Sequence, residues 1–367
     1  MKFVCERDAL ERTVSTAYRA VASRSGALPV LSGLQATLRA GEVEFTGSDL
    51  ELTIRARVPA DVEGDGSVVL VGRLLVDTLA KLSPGTRVTV EIGDDQAKIE
   101  AGRFRSEVRT LAAADFPRLA EPEGNAVKVA AGPFADGLRQ VVPAASRDDA
   151  RPILTGVLIA ATAEGVRLVA TDSYRLAVRD LTGISLLPEG RHVLVGAKGL
   201  GELQRLLGDG DVEVFLGERY VTFRLEGIEV TARLIEGDFP NYQQLIPAGY
   251  PNKLTVERDA LTHAVERVSL VGGTNRDSAP IRLAMSAEGL ELSATAQDVG
   301  QSYEPVEAKY EGTDLTVAFN SRFLLDGIEA AASPEVTIES VDPLKPAVLR
   351  GSEASDFLYL LMPVRIA

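Results

Sequence analysis

The sequence repeats itself at a fixed spacing, and this repetition limits the folds open to the chain. Three pairs of markers stand 123 residues apart (172 − 49 = 123): Pro-Val-Leu-Ser-Gly at 29–33 with Pro-Ile-Leu-Thr-Gly at 152–156, Asp49 with Asp172, and Asp-Phe-Pro at 115–117 with Asp-Phe-Pro at 238–240. A fainter third copy is indicated by Leu-Val-Ala-Thr at 168–171 and Leu-Ser-Ala-Thr at 292–295. The 367 residues therefore predict three copies of one supersecondary arrangement.

Short stretches that contain Pro and Gly and lack hydrophobic periodicity separate the repeats. They are Ala-Glu-Pro-Glu-Gly-Asn at 120–125 and Ala-Gly-Tyr-Pro-Asn at 248–252. We therefore predict domains at residues 1–120, 121–250 and 251–367.

Each repeat carries two segments with helical spacing of apolar residues. The predicted helices span 7–21, 73–82, 134–144, 198–207, 259–270 and 321–331. Between them lie alternating runs rich in β-branched residues, such as 67–71, 87–92 and 97–101, which predict strands. The predicted fold class is α+β, with three repeated domains that each pack two helices on mostly antiparallel sheets.

Composition excludes several classes of protein. Asp and Glu number 53 against 39 Lys and Arg, and a net charge of −14 argues against a generally basic nucleic-acid-binding protein. The single cysteine, Cys5, permits no intramolecular disulfide and no thiolate metal cluster, and we expect it to be a small buried apolar residue. The sequence has no apolar run of 18 residues and no signal-peptide core, so neither a membrane span nor secretion is predicted.

The sequence lacks the motifs of common enzymes. His192 and His263 have no metal-ligand partner three or four residues away, and no phosphate-loop, dinucleotide or nucleophile-elbow motif occurs. The glycine-rich segment 197–201 predicts a helix N-terminus, and the acidic pairs at 94–95 and 148–149 predict turns. We therefore predict no catalytic residue, no metal and no cofactor. The alternative is an enzyme with an unrecognised active site, such as a hydrolase that uses the acidic loops.

Seven strings occur in order along essentially the full chain: Met-Lys-Phe at 1–3, Leu-Pro-Val-Leu at 28–31, Thr-Gly-Ser-Asp-Leu-Glu at 46–51, Ala-Asp-Phe-Pro at 114–117, Ala-Thr-Asp-Ser-Tyr-Arg-Leu-Ala at 170–177, Gly-Asp-Phe-Pro at 237–240 and Tyr-Leu-Leu-Met-Pro-Val-Arg at 359–365. Together they resemble the bacterial replicative sliding clamps, the beta subunits of DNA polymerase III. The resemblance implies a non-catalytic processivity factor that is cytoplasmic and associated with the nucleoid. It also implies that two copies close head to tail into a ring around double-stranded DNA.

The resemblance implies DNA contacts that do not depend on base sequence and weaken with salt. The candidate residues are Arg24, Arg73, Arg147, Arg151, Lys198 and Arg205. For each of them the alternative is a solvated helix charge. The acidic excess grows towards the C-terminus, so we expect the contacts to concentrate in the first two repeats.

The resemblance also implies a hydrophobic pocket that holds short linear motifs of the replicative polymerase, the clamp loader and other partners. Its lining would be Leu154, Thr171, Tyr174, Arg175, Leu176, Pro240, Asn320, Phe323, Leu344, Leu360, Met362, Pro363, Val364 and Arg365. The apolar run at 357–363, which ends in Met-Pro, independently suits an adaptable binding surface. The alternative is an ordinary core strand, in which alternate residues belong to the core.

The dimer contact implied by the resemblance joins Phe104 and Val108, on the strand predicted at 103–109, to Leu270 and Val271 in the third repeat. Two residues depart from the family pattern: Ser106 replaces a frequent apolar aromatic, and Ser173 replaces a frequent glycine. These departures leave open a specialised clamp paralogue with altered partner or inhibitor binding. Because the chain has no nucleotide-binding motif, we expect a separate ATP-driven loader.

Overall fold

The computed structural model describes residues 1–22, 28–272, 280–352 and 356–365. The chain packs as two compact units. Unit 1 consists of Met1–Ala131 and Lys198–Leu234, and unit 2 consists of Gly132–Ala197 and Ile235–Ala367.

All six predicted helices are present in the described ranges, with ends displaced by three residues or fewer. They are α1 (Arg7–Tyr18), α2 (Gly72–Lys81), α3 (Ala131–Val141), α4 (Ala197–Leu206), α5 (Arg258–Ser269) and α6 (Ser321–Ala331). Short 3-10 helices span Pro29–Ser32, Ala113–Asp115, Val142–Ala144, Pro152–Thr155, Tyr242–Leu245 and Leu270–Gly272. The predicted end of the third helix, at 142–144, is one of these, and it carries Pro143 where an α-helix would need a backbone donor.

The strands of the first part of the chain are β1 (Lys2–Glu6), β2 (Gly33–Arg39), β3 (Glu42–Ser48), β4 (Leu52–Pro59), β5 (Asp61–Glu63), β6 (Gly66–Val71), β7 (Arg87–Ile92), β8 (Gln96–Ala101), β9 (Phe104–Ala112), β10 (Ala126–Ala130), β11 (Gly156–Ala161), β12 (Gly165–Thr171) and β13 (Arg175–Thr182). Those that follow are β14 (His192–Gly196), β15 (Asp211–Leu216), β16 (Tyr220–Leu225), β17 (Ile228–Arg233), β18 (Asn252–Glu257), β19 (Ile281–Ser286), β20 (Gly289–Ala296), β21 (Gly300–Val306), β22 (Ala308–Glu311), β23 (Leu315–Phe319), β24 (Glu335–Ser340), β25 (Ala347–Gly351) and β26 (Phe357–Leu361).

Every strand pairing in the described residues is antiparallel, which confirms the α+β class. Unit 1 holds one 13-stranded sheet, in the order β10-β15-β16-β17-β4-β3-β2-β6-β9-β8-β7-β1-β5. Unit 2 holds a nine-stranded sheet, β14-β11-β12-β13-β26-β25-β24-β18-β22, and a four-stranded sheet, β21-β20-β19-β23.

The helices bury the apolar stripes that the sequence predicts. Helix α1 directs Leu10, Val14 and Ala17 into the core of unit 1, next to Leu75 and Leu79 of α2. Spacing of three, four and seven residues places such side chains on one face of a helix.

Cys5 is buried in the core of unit 1, as predicted. Burial is the main cause that raises the pKa of its thiol to about 12, and nearby Glu6 adds to the effect. The thiolate, which is the reactive form, is therefore scarce at neutral pH.

The repeated sequence markers correspond to repeated local structure. The two Pro-x-Leu segments form the 3-10 helices Pro29–Ser32 and Pro152–Thr155, and in each the final hydroxyl donates to the proline carbonyl at 2.7 Å. Asp49 and Asp172 each begin an Asx turn, in which Oδ1 accepts the backbone N–H groups two and three residues later. The repeated sequence markers therefore form the same hydrogen-bonded turns in both copies.

Candidate nucleic-acid and partner-binding sites

A buried arginine lies at the start of β13, directly after the Asx turn of Asp172. Arg175 is 7% exposed, and its Nε donates to Asp172 Oδ2 at 3.0 Å. Its Nη1 pairs with the Asp326 carboxylate, and its Nη2 donates to the Pro143 carbonyl at 2.5 Å. A buried guanidinium is tolerable only when its charge and donors are matched in this way. Arg175 therefore holds Asp172, Asp326 and the Pro143 carbonyl together, and each of its three nitrogen atoms already has a partner.

Three aromatic side chains surround this arginine. The Arg175 Cζ atom lies 4.3 Å from the centroid of the Phe323 ring, which is within cation–π range. Tyr174 is 60% exposed and stacks on Phe323 with centroids 6.4 Å apart. The Tyr359 hydroxyl donates to the Phe323 carbonyl at 2.9 Å, and burial raises the pKa of Tyr359 above its ordinary value, so this donor keeps its proton. Tyr174 and Phe323 form an aromatic rim. Contacts of Phe323 with Arg175 and Tyr359 anchor this rim to the buried ion cluster of Arg175, Asp172 and Asp326.

The C-terminal segment runs beside this rim. The Met362 N–H donates to the Tyr174 carbonyl at 2.9 Å, and the Val364 N–H donates to the Ala318 carbonyl at 2.8 Å. Leu176 lies opposite Leu360 in the β13–β26 register, and both belong to one apolar cluster on which Met362 packs. The structure therefore brings together Tyr174, Arg175, Leu176, Phe323, Leu360 and Met362 from the predicted lining.

Burial in the terminal strand extends beyond the alternate residues that a two-residue period assigns to the core. All five residues of β26 are buried. Helix α6 covers one face of the strand, where Gly327 is required because a Cβ atom there would lie 2.6 Å from the Tyr359 ring. The other face joins the apolar cluster that contains Tyr242.

The remaining lining residues occupy supporting or peripheral positions. Thr171 Oγ1 donates to the Arg175 carbonyl at 2.6 Å, and Asn320 caps α6 by accepting the Phe323 N–H at 3.1 Å. Leu154 is buried in a 3-10 helix, and Pro363 is half-buried. The outer positions are exposed and make no hydrogen bond, ion pair or ring contact with the rim in the described part of the chain: Pro240, Leu344 and Arg365.

Repeat-related strand pairs in the two units differ in their side-chain chemistry. In unit 2, Leu176 faces Leu360 and Val178 faces Leu358 across β13 and β26. At the matching positions of unit 1, Thr53 faces Thr231 and Arg55 faces Glu229 across β4 and β17. The Arg55–Glu229 ion pair measures 2.7 Å. The same backbone therefore carries an apolar face in unit 2 and a polar one in unit 1.

Of the six candidate DNA contacts, Arg24 lies outside the described residues, and the other five are exposed. Four of the five already pair with a carboxylate: Arg73 with Asp77 at 2.7 Å, Arg151 with Asp148 at 3.0 Å, Arg205 with Glu202 at 2.6 Å, and Lys198 with Asp49. Exposed pairs of this kind are worth at most about 1 kcal/mol, so a phosphate can replace the carboxylate at small cost.

The four candidate dimer residues divide into two kinds. Phe104 and Leu270 are exposed apolar side chains, whereas Val108 and Val271 are each buried within their own unit. Residues 104–109 of β9 pair with β8 on one side, and only residues 110–112 pair with β6 on the other. In the described residues, the second edge of β9 at 104–109 is therefore unpaired.

Sequence reasoning gave no site role to three residues that hold the predicted lining together. Asp172 was recognised as a repeat marker and, like Tyr359, as part of a string that resembles the family, while Asp326 was not singled out. Asp326 follows Phe323 by three residues on α6, and that helical spacing is a signal that could have found it.

No group of three or more His, Cys, Asp or Glu residues in the described ranges is arranged to hold a metal ion. Among the described helices, none combines the length and apolarity that a bilayer span requires.

Family models match nearly all of the chain. The DNA polymerase III beta subunit N-terminal domain matches residues 1–120, the central domain matches 128–241, and the C-terminal domain matches 243–365. The beta sliding clamp of Streptomyces coelicolor is 35% identical over 380 residues, with 100% of both chains covered.

Solved structures agree with these matches. The DNA polymerase sliding clamp of Bacillus subtilis superposes with a TM-score of 0.89 at 27% sequence identity. The Pseudomonas aeruginosa sliding clamp bound to griselimycin superposes with a TM-score of 0.89 at 28% sequence identity. Each match covers 100% of this chain and 100% of the matched chain. Beta sliding clamps are non-catalytic processivity factors of DNA replication, so the alternative of an unrecognised enzyme is set aside. The chain belongs to the DNA polymerase III beta subunit family, the bacterial beta sliding clamps.

Proposed function

We propose that this sliding clamp acts as a head-to-tail homodimeric ring that encloses double-stranded DNA and carries the replicative polymerase, the clamp loader and other partners. Each chain contributes three domains, at 1–120, 121–250 and 251–367, and the ring works in the cytoplasm on the nucleoid. The single observation that carries this function is the full-length match of three consecutive clamp-domain models to one chain.

The edges of the sheets support the dimer. Strand β9 leaves one edge unpaired along residues 104–109, and β21 ends the four-stranded sheet with Tyr303 71% exposed. Unpaired edges invite strand addition by another chain. Phe104 is exposed on β9, and Leu270 is exposed on the 3-10 helix that contacts β21. The second copy would then cover both side chains.

The partner pocket is supported by the apolar face of unit 2 and its exposed rim. Tyr174, Leu344 and Val364 are exposed apolar side chains at positions of the predicted lining. A short motif with two or three apolar anchors would bury these side chains and gain most of its affinity from them.

Ring closure and topological linkage can be tested together. We expect the purified chain to have the mass of a dimer in solution. After loading, it should be retained on circular plasmid and lost when the plasmid is linearised, because it would slide off a free end. A monomeric mass, or equal retention on both forms, would contradict the proposal.

DNA contact through the basic residues can be tested by charge reversal. The double variant Arg24→Glu, Lys198→Glu is expected to lower retention on circular plasmid and to reduce the salt dependence of DNA binding, because two cations that oppose phosphate become anions. The dimer mass should not change. If retention and its salt dependence were both unaffected, these residues would not be DNA contacts.

A further inference from the structure

Unit 1 contains an arginine-lined cavity of about 160 Å³ where strands β4, β16 and β17 pair. Its lining includes Arg55, Arg57, Arg224 and Glu229, and the rest comes from the turn between β16 and β17. Three guanidinium groups therefore share the lining with one carboxylate. The lining has an excess of two positive charges (3 − 1 = 2), although the whole chain has a net charge of −14.

The buried carboxylate of this cavity holds two of the arginines in place. Glu229 is 8% exposed; its Oε1 accepts from Arg55 Nη1 at 2.7 Å, and its Oε2 accepts from Arg224 Nη2 at 3.1 Å. Arg224 also lies over the Phe215 ring, with its Cζ atom 4.5 Å from the ring centroid. A guanidinium that is already held in this way loses little further conformational entropy when it binds a ligand.

The cavity contains guanidinium nitrogens that no other group uses. Arg57 donates from Nε to Glu44 at 2.8 Å, and its Nη1 and Nη2 make no hydrogen bond to the residues that the structure describes. Arg224 uses Nε and Nη2 for Glu229, and its Nη1 likewise lacks a partner in the described ranges. The two side chains are 46% and 44% exposed, so a ligand can reach these donors. Such donors suit a planar carboxylate.

The strand pairing itself does not require arginines at these positions. The residues 123 positions later, on β13 of unit 2, are Val178 in place of Arg55 and Asp180 in place of Arg57 (178 − 55 = 180 − 57 = 123). Asp180 pairs with Arg167 at 2.7 Å, so the charges of this ion pair are exchanged between the two strands relative to unit 1. The arginines of β4 are therefore not a consequence of the repeated backbone.

We propose that this cavity is a second docking site of the clamp, and that it binds a carboxylate side chain of an acidic polypeptide segment. The positive charge and the unpaired donors of the lining complement one carboxylate. A nucleic acid fits less well, because Glu44 and Glu121 pair with Arg57 and Arg55 beside the cavity and would repel its neighbouring phosphates. The site is separate from the proposed partner pocket, which lies in unit 2.

Two labelled decapeptides with blocked ends test this site on the full-length chain. One alternates Glu with Gly, the other alternates Gln with Gly, and fluorescence anisotropy at low salt gives both dissociation constants. The acidic peptide should bind the wild-type chain about tenfold more tightly, as expected for one charge-assisted contact. The double variant Arg57→Gln, Arg224→Gln should reduce this ratio to about one, because it removes the unpaired donors and keeps the Arg55–Glu229 ion pair.

Two further variants separate binding from stability. Glu44→Gln removes the carboxylate that competes for Arg57 and should tighten binding of the acidic peptide about threefold, which a purely structural ion pair would not do. Arg139→Gln, Arg233→Gln is the matched control, because these side chains are 41% and 49% exposed and pair with carboxylates outside the cavity lining. The control should keep the wild-type ratio, and circular dichroism should show the same fold in every variant.

The outcomes are distinguishable. If the double variant keeps the tenfold ratio, or if the control loses it, the cavity is not the binding site and the proposal is overturned. If the double variant instead weakens the binding of a short DNA duplex and leaves the peptide ratio unchanged, the cavity takes phosphate and the carboxylate assignment fails. Since none of these variants changes a residue of the predicted partner-pocket lining, the proposed function does not depend on the result.

Discussion

Replacement of Asp172 by alanine is expected to lower the free energy of unfolding by about 3 kcal/mol. The substitution removes the acceptor of two backbone N–H groups and leaves the Nε of buried Arg175 without a partner. Urea denaturation followed by circular dichroism measures the loss.

Asp49→Ala is the matched control for this prediction, because Asp49 makes the same two backbone contacts in unit 1. Its ion-pair partner, Lys198, is 60% exposed and is solvated when the carboxylate is lost. We therefore expect a loss of only about 1 kcal/mol. Equal losses in the two variants would show that the buried arginine adds nothing to the role of the turn.

Deletion of residues 363–367 is expected to weaken peptide binding by at least about 100-fold. It removes Pro363, Val364 and Arg365 from the proposed lining, together with the hydrogen bond from Val364 to Ala318, and a few anchors carry most of the affinity of such sites. The measurement is anisotropy with an apolar peptide selected on the wild-type chain.

Deletion of only residues 366–367 serves as the control and should retain full affinity. Both truncated chains should keep the dimer mass, because the proposed dimer residues lie elsewhere in the sequence. A chain ending at residue 362 that still bound the peptide with wild-type affinity would contradict the placement of the pocket.

The fold could be predicted from the sequence to the extent that local patterns decide it. The helices follow from apolar spacing such as that of Leu10, Val14 and Ala17. The repeat markers correspond to hydrogen-bonded turns that need Asp or Pro at set positions. Helix ends shifted where a nearby proline altered the hydrogen bonding, as at 142–144.

The site was harder to predict because its contacts join residues far apart in sequence. Asp326 and Tyr359 meet Arg175 only in the folded chain. Burial on both faces of β26 depends on α6 and on the cluster around Tyr242, neither of which a two-residue period can reveal. Val108 is an apolar residue of the proposed dimer strand, but the sequence could not show that it points into its own core.

The unequal chemistry of the two repeat-related strand pairs bears on how partners share a clamp. Thr53 and Thr231 occupy in unit 1 the places that Leu176 and Leu360 occupy in unit 2. The two pairs share a backbone arrangement, but only the pair in unit 2 is apolar. Proteins that bind the proposed pocket through the same short motif would therefore compete for one site on each chain. The order in which they occupy it would follow their concentrations and their dissociation rates.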